Sequence, residues 1–169
     1  MACNSNKNTK VKSMSTKDST VAQKIVYPPV DNSTNFEIGD GSVIPGMLEV
    51  YKAWEENDMA TMKKHFADTV LLVGSDGTEL HGSRDSAILR VQVYRNMYTT
   101  LKNNYHAFVN LRSVDKNENW LVVWYKQHMT DKKGKVDQAE FIENWRLNKD
   151  GNIEALYKYI QHRPATPNK

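Results

Sequence analysis

The chain has a single cysteine, Cys3, so an internal disulfide is excluded and stability has to come from packing. Its histidines, at positions 65, 81, 106, 128 and 162, show no metal-ligand spacing such as HExxH, and no cysteine pair accompanies them. No metal or cofactor is expected, and only His81 and His128 are kept as minor pocket residues on strand edges. The most apolar helical stretch is interrupted by charges, which rules it out as a membrane span. No glycine-rich phosphate loop occurs, and Ser75 in VGSDG lacks the first glycine of a nucleophile elbow. Charge of one sign is also scarce. The net charge of +3 is mild, and Lys132, Lys133 and Lys135 around Gly134 read as a solvated hairpin loop, so no nucleic-acid partner is expected.

Large apolar side chains are almost missing before Val21, where Asn, Ser, Thr and Lys dominate. Such a segment cannot offset its ordering entropy by burial, and residues 1–41 are read as a flexible polar tail. Tyr27-Pro28-Pro29-Val30 favours extended backbone, and Gly39 and Gly41 loosen the approach to the domain. The start, Met1-Ala2-Cys3-Asn4-Ser5, resembles the cleavage region of a bacterial lipoprotein, without the apolar signal that should precede it. That resemblance implies lipidation at Cys3 and anchoring in the cell envelope if Met1 is internal to a longer precursor; the alternative is a cytoplasmic protein with a chance cysteine.

Residues 42–163 are expected to form one domain, followed by a short tail at 164–169. About 120 residues can bury roughly two thirds of the surface exposed by the unfolded chain. Met47, Leu48, Val50, Tyr51 and Trp54 form a stripe of helical period, with Pro45 suited to the first turn. Asp58 is placed to cap a second helix, in which Met59, Met62 and Phe66 repeat the spacing before Asp68 and Thr69 end it. Val70 to Val73 and Thr78 to His81 flank Asp76-Gly77 as a hairpin. Ser83 then caps a third helix expected to run to about Asn103. Its apolar residues make two stripes: Ala87, Ile88, Val91, Tyr94, Tyr98 and Leu101, then Leu89, Val93 and Met97; Arg90, Gln92, Arg95 and Asn96 are left to face water. Strands follow around Tyr105 to Val114, Trp120 to Thr130, Val136 to Leu147 and Ile153 to His162, joined by turns short enough to make neighbours antiparallel.

This order of elements, with the block WEENDMATMKKHFADTV, the hairpin DGTELHG and the late turn LNKDGNI, resembles the SnoaL-like branch of the nuclear transport factor 2-like superfamily. The resemblance covers Pro45 to about Arg163 and implies an α+β fold, with three N-terminal helices packed on a strongly curved antiparallel sheet as a cone. That superfamily hosts isomerases, cyclases, hydrolases, dehydratases and inactive domains, so the fold by itself leaves function open.

Alternation on Val136 to Leu147 puts Ala139, Phe141, Trp145 and Leu147 on one side, with Glu143 the single ionisable group among them. A carboxylate there is paired, desolvated or bathed by cavity water, unless the sheet opens and it reaches solvent. Counting through the Lys133 hairpin sets Val123 opposite Glu143, which turns Leu121, Val123 and Tyr125 inward unless a bulge reverses the strand. The other face then carries Trp120, Val122, Trp124 and Ile142, expected to form a homodimer interface.

The resemblance further implies a pocket between helices and sheet, which maps here to Trp54, Tyr94, Tyr98, Tyr125, Glu143 and Trp145 and suits a small apolar or aromatic ligand. Catalysis is less well supported. The tyrosine and base positions of the ketosteroid isomerase branch fall on Val50 and Gly74, with Tyr51 and Asp76 nearby but misdirected; only the later acid falls on a matching residue, Glu143. The aspartate of the polyketide cyclase branch falls on Lys158. The favoured reading is a noncatalytic module that binds a small hydrophobic molecule. The alternative is an enzyme that uses Glu143 for proton transfer on such a molecule.

Overall fold

The computed structural model describes residues 32–161, so Cys3, most of the expected tail, and residues 164–169 lie outside the described residues. The elements run β1 (Phe36–Ile38), α1 (Ile44–Glu56), α2 (Met59–Lys64), β2 (Phe66–Val73), β3 (Glu79–Ser83), α3 (Arg84–Arg95), β4 (Tyr98–Ser113), β5 (Glu118–Asp131), β6 (Val136–Leu147) and β7 (Ile153–Gln161). This is an α+β fold of three helices and one seven-stranded sheet, ordered β1-β4-β5-β6-β7-β2-β3.

The sheet is mixed where an all-antiparallel one was expected, because β2 runs parallel to β7 with Leu72 opposite Leu156. The expected strong curvature is likewise corrected: the sheet is not strongly curled and keeps β1 and β3 as open edges. Phe36–Ile38, assigned to the tail from composition, pairs with Leu111–Ser113 of β4, and Phe36 packs edge-on against Trp120.

Local chemistry sets the element ends. Pro45 lies in the first turn of α1, and Asp58 caps α2 by accepting the Thr61 N–H at 3.0 Å. α2 stops at Lys64, earlier than expected, and Phe66 opens β2 as a buried core residue. Gly77 has φ +78° in the β2–β3 turn, a left-handed conformation that costs a residue with a Cβ. Ser83 accepts the Ser86 N–H and starts α3.

The largest correction concerns α3, which ends at Arg95; the expected continuation through Asn103 is instead the first part of β4. There Leu101 is buried, facing Met129 across the β4–β5 ladder. Of the expected second stripe, Leu89 and Val93 on α3 and Met97 in the turn after it are exposed, so only one side of the helix is covered. Arg95, expected in water, is 5% exposed. Its guanidinium donates to the carbonyls of Trp54 and Glu55 at the end of α1, and to that of Tyr98, at 2.8 to 2.9 Å.

The β5–β6 register is continuous and sets Val123 opposite Glu143. Leu121, Val123 and Tyr125 are accordingly buried, together with Phe141, Trp145 and Leu147, on the face that α1 covers. Tyr51 of α1 packs edge-on against Tyr105, Phe108, Tyr125 and Trp145 of that face.

Candidate functional site

A cavity of about 350 Å³ opens between α1, α3 and the inner face of the sheet. Its apolar wall includes Val50, Trp54, Met62, Phe66, Leu72, Val91, Trp145 and Leu156. Five of the six residues expected there line it: Trp54, Tyr94, Tyr125, Glu143 and Trp145. Tyr98 is not on the wall, because it opens β4 after the helix has ended; it packs edge-on behind Tyr94, whose ring stacks on Trp54. His81 and His128 do not line the cavity either.

Glu143 sits on the wall with 3% of its surface exposed, so it does not reach bulk solvent. Its Oε2 accepts the Tyr51 hydroxyl at 2.7 Å, and its Oε1 accepts the Tyr125 hydroxyl at 2.7 Å. Lys158 Nζ pairs with Oε1 at 3.0 Å and lies 3.3 Å from Tyr125 Oη. Trp145 Nε1 donates to Tyr51 Oη at 2.8 Å, which leaves the Tyr51 proton directed at the carboxylate. The ammonium also stands 4.2 Å from the centre of the Phe141 ring, a cation–π arrangement.

Two of these residues are not among those expected at the site. Tyr51, on the apolar stripe of α1 though not a direct counterpart of the isomerase-branch tyrosine, faces inward and reaches Glu143. Lys158 is next to Glu143 because β7 pairs with β6 in the register Glu143↔Lys158, and both side chains project from the same face. The signal that could have found Lys158 is alternation on β7, where Leu156, Lys158 and Ile160 share a side with an otherwise apolar pattern.

Burial sets the electrostatics of the phenols. Desolvation, followed by the charge of Glu143, pushes the pKa of both Tyr51 and Tyr125 well above the ordinary value of 10.0. Both therefore serve as neutral donors. Tyr105, which packs against both rings, is pushed up to about 12 by desolvation, and so is Tyr98.

The rim is polar. Asp76 Oδ1 accepts the Thr78 N–H at 3.0 Å and the Thr78 hydroxyl at 2.6 Å, which ties it into its turn. Arg90 reaches from α3 to Thr78 Oγ1, linking the helix to the hairpin turn across the rim. No group of His, Cys, Asp and Glu side chains suited to hold a metal ion occurs among the described residues.

The architecture is the nuclear transport factor 2-like, or SnoaL-like, fold. No protein-family model matches the sequence, and comparison with curated proteins finds no match. Among solved structures, the chain is similar to an NTF2-like protein of unknown function from Exiguobacterium, with 19% identity, TM-score 0.57, and coverage of 70% of this chain and 99% of that one. It is also similar to RV0760c from Mycobacterium tuberculosis, whose structure contains estradiol-17beta-hemisuccinate, with 14% identity, TM-score 0.56, and coverage of 69% and 92%. A third similar structure is an LEH-like epoxide hydrolase from the same organism, at 11% identity, TM-score 0.56, and coverage of 70% and 82%. At these identities the likeness extends to the fold and leaves the chemistry open.

Proposed function

We propose that this domain is a noncatalytic module that holds a small apolar or aromatic molecule in the cavity between α1, α3 and the sheet. The observation that carries this reading is an aromatic-lined hollow of about 350 Å³ whose one buried carboxylate is already engaged by two phenols and an ammonium. Stacking on Trp54, Tyr94 and Trp145 supplies the affinity for such a body. A general base needs a free lone pair aimed at the substrate, and Oε1, with its two donors, has none left.

Thermal-shift screening tests the proposal, with estradiol-17beta-hemisuccinate, the ligand of RV0760c, as first probe beside fatty acids and aromatic acids. A saturable rise in melting temperature that persists in Glu143→Gln, without turnover of the probe, is the expected result. No stabilisation by any probe would count against it.

One observation favours the second reading, an enzyme acting by proton transfer. Oε2 accepts from Tyr51 alone and so keeps one acceptor position at the cavity wall. Turnover of a bound molecule that disappears in Glu143→Gln would support it. We further infer a homodimer through the outer sheet face around Val122, Trp124 and Ile142, and we propose lipid attachment at Cys3, which intact-mass measurement on protein from its natural source would test.

A further inference from the structure

Lys158 carries an amine into a hollow that, inside its polar rim and apart from Glu143, is walled by hydrocarbon and aromatic rings, and binding of a neutral apolar molecule does not require it. Its side chain is 16% exposed, it lies on the cavity wall, and its Nζ is 3.0 Å from Glu143 Oε1 and 3.3 Å from Tyr125 Oη. An amine and a carboxylate that can take and return its proton are the groups that imine formation with a carbonyl compound requires, and a phenol beside them holds the carboxylate in place. We propose that Lys158 captures aldehydes or ketones with an apolar, aromatic-sized body as a protonated imine. This rests on the reading of the cavity as a ligand site and adds a covalent step to it.

The step balances within the residues present. An apolar body filling the hollow expels water and penalises the separated charges of Lys158 and Glu143 relative to the neutral amine and acid, so the ammonium proton passes to Glu143 Oε1. The free amine adds to the carbonyl carbon, forming the C–N bond, and the carbonyl oxygen takes up the proton the nitrogen gives up. Glu143 then returns its own proton to that oxygen as the C–O bond breaks and water leaves. The product is an iminium on Lys158, paired with the regenerated Glu143 carboxylate. Tyr125, hydrogen-bonded to Oε1, orients the carboxylate throughout. No oxidant or reductant is consumed.

The test uses the wild-type chain, naphthaldehyde as probe, and cyanoborohydride to reduce the imine to a stable amine, with peptide mapping to assign the modified lysine. Naphthyl methanol, which has the same body without the carbonyl, reports noncovalent binding through quenching of tryptophan fluorescence. Lys158 is expected to be modified about tenfold or more faster than the exposed lysines, with the excess suppressed by the alcohol and slowed about tenfold in Glu143→Gln. Alcohol binding with labelling spread over the exposed lysines would overturn the imine proposal and leave the binding reading intact. Absence of both binding and selective labelling would overturn the two together. Glu143→Gln keeps an acceptor oxygen for one of the two phenols and turns an amide N–H toward the other, and its melting curve shows whether slower labelling reflects lost proton transfer or lost fold.

Discussion

A carboxylate removed from water has to be surrounded by donors, and Glu143 has Tyr51, Tyr125 and Lys158 within hydrogen-bonding distance. The pair is nearly desolvated on both sides, with side-chain exposures of 4% for Glu143 and 16% for Lys158. Removing one partner is therefore costly: Lys158→Met leaves an uncompensated buried charge and should destabilise the fold by about 3–5 kcal/mol in denaturant unfolding. Tyr51→Phe removes one donor to the carboxylate and the acceptor of Trp145 Nε1, for a smaller loss of about 1–3 kcal/mol. The double replacement Glu143→Leu with Lys158→Met removes both charges and should be less destabilising than Lys158→Met alone, which a double-mutant cycle would show directly.

The phenols add a pH dependence of definite sign. Desolvation pushes Tyr98 and Tyr105 up to about 12 in the folded chain against 10.0 unfolded, and pushes Tyr51 and Tyr125 well above 10.0 as well. Between those values the native state holds more protons than the unfolded one, so stability falls as pH rises. The contribution is complete below about pH 10 and lost on passing through about 12. Absorbance titration of tyrosinate should show Tyr51 and Tyr125 ionising only together with loss of tertiary circular dichroism. Ionisation of all the tyrosines near pH 10 in a still-folded chain would contradict the buried network. Of this network, Glu143 was legible in the sequence because a strand has a period of two and one acid stood out on an apolar side. Tyr51 was legible as a core residue of the α1 stripe but not as a partner of Glu143, and Lys158 was not legible at all, since these contacts depend on how α1 and β7 are set against the sheet.

At the scale of elements, Arg95 joins the end of α1 to the end of α3 and the start of β4. Its guanidinium satisfies three carbonyls, two of them at the C-terminal end of α1, where a cation also complements the helix dipole. Arg95→Met keeps the apolar stem but removes the guanidinium from those carbonyls, of which that of Trp54 keeps the Asn57 N–H, and should cost about 2–4 kcal/mol. Because Trp54 and Tyr94 are held in their stack by the same junction, a red-shifted tryptophan emission and weaker probe binding should accompany the loss. The expected helix runs past the observed end of α3 at Arg95 for a physical reason. Tyr98 and Leu101 continue a helical spacing from Val91 and Tyr94, so the apolar pattern alone could not tell a longer helix from a strand. Pairing with β5 along nearly the whole of β4 decided it, and that pairing is invisible to a local window. Thr99 and Thr100, both β-branched, were the one local hint. The parallel β2–β7 contact was out of reach for the same reason, because it joins segments more than eighty residues apart.

At the scale of the molecule, the two faces of the sheet have different fates. The inner face is consumed by the helices and the cavity, while the outer face keeps Ile142 at 38% and Tyr159 at 54% exposure, paired across β6–β7. Val122 and Trp124 beside them are only half-buried. Trp120, expected in the same interface, is 8% exposed and already covered, stacked on Tyr157 and met edge-on by Phe36. The proposed dimer contact therefore shifts away from Trp120 toward Trp124, Ile142 and Tyr159. An isologous contact places the same patch on both partners, so one introduced charge appears twice and repels itself across the two-fold axis. Ile142→Glu should convert the dimer to a monomer in sedimentation velocity at micromolar concentration, and leave the monomer fold intact because the side chain is exposed there. Phe36→Ala removes only the edge that covers Trp120; it should leave the dimer in place while exposing an indole to quencher. A wild-type chain that sediments as a monomer at the same concentration would assign the outer face to solvent and remove the contact altogether.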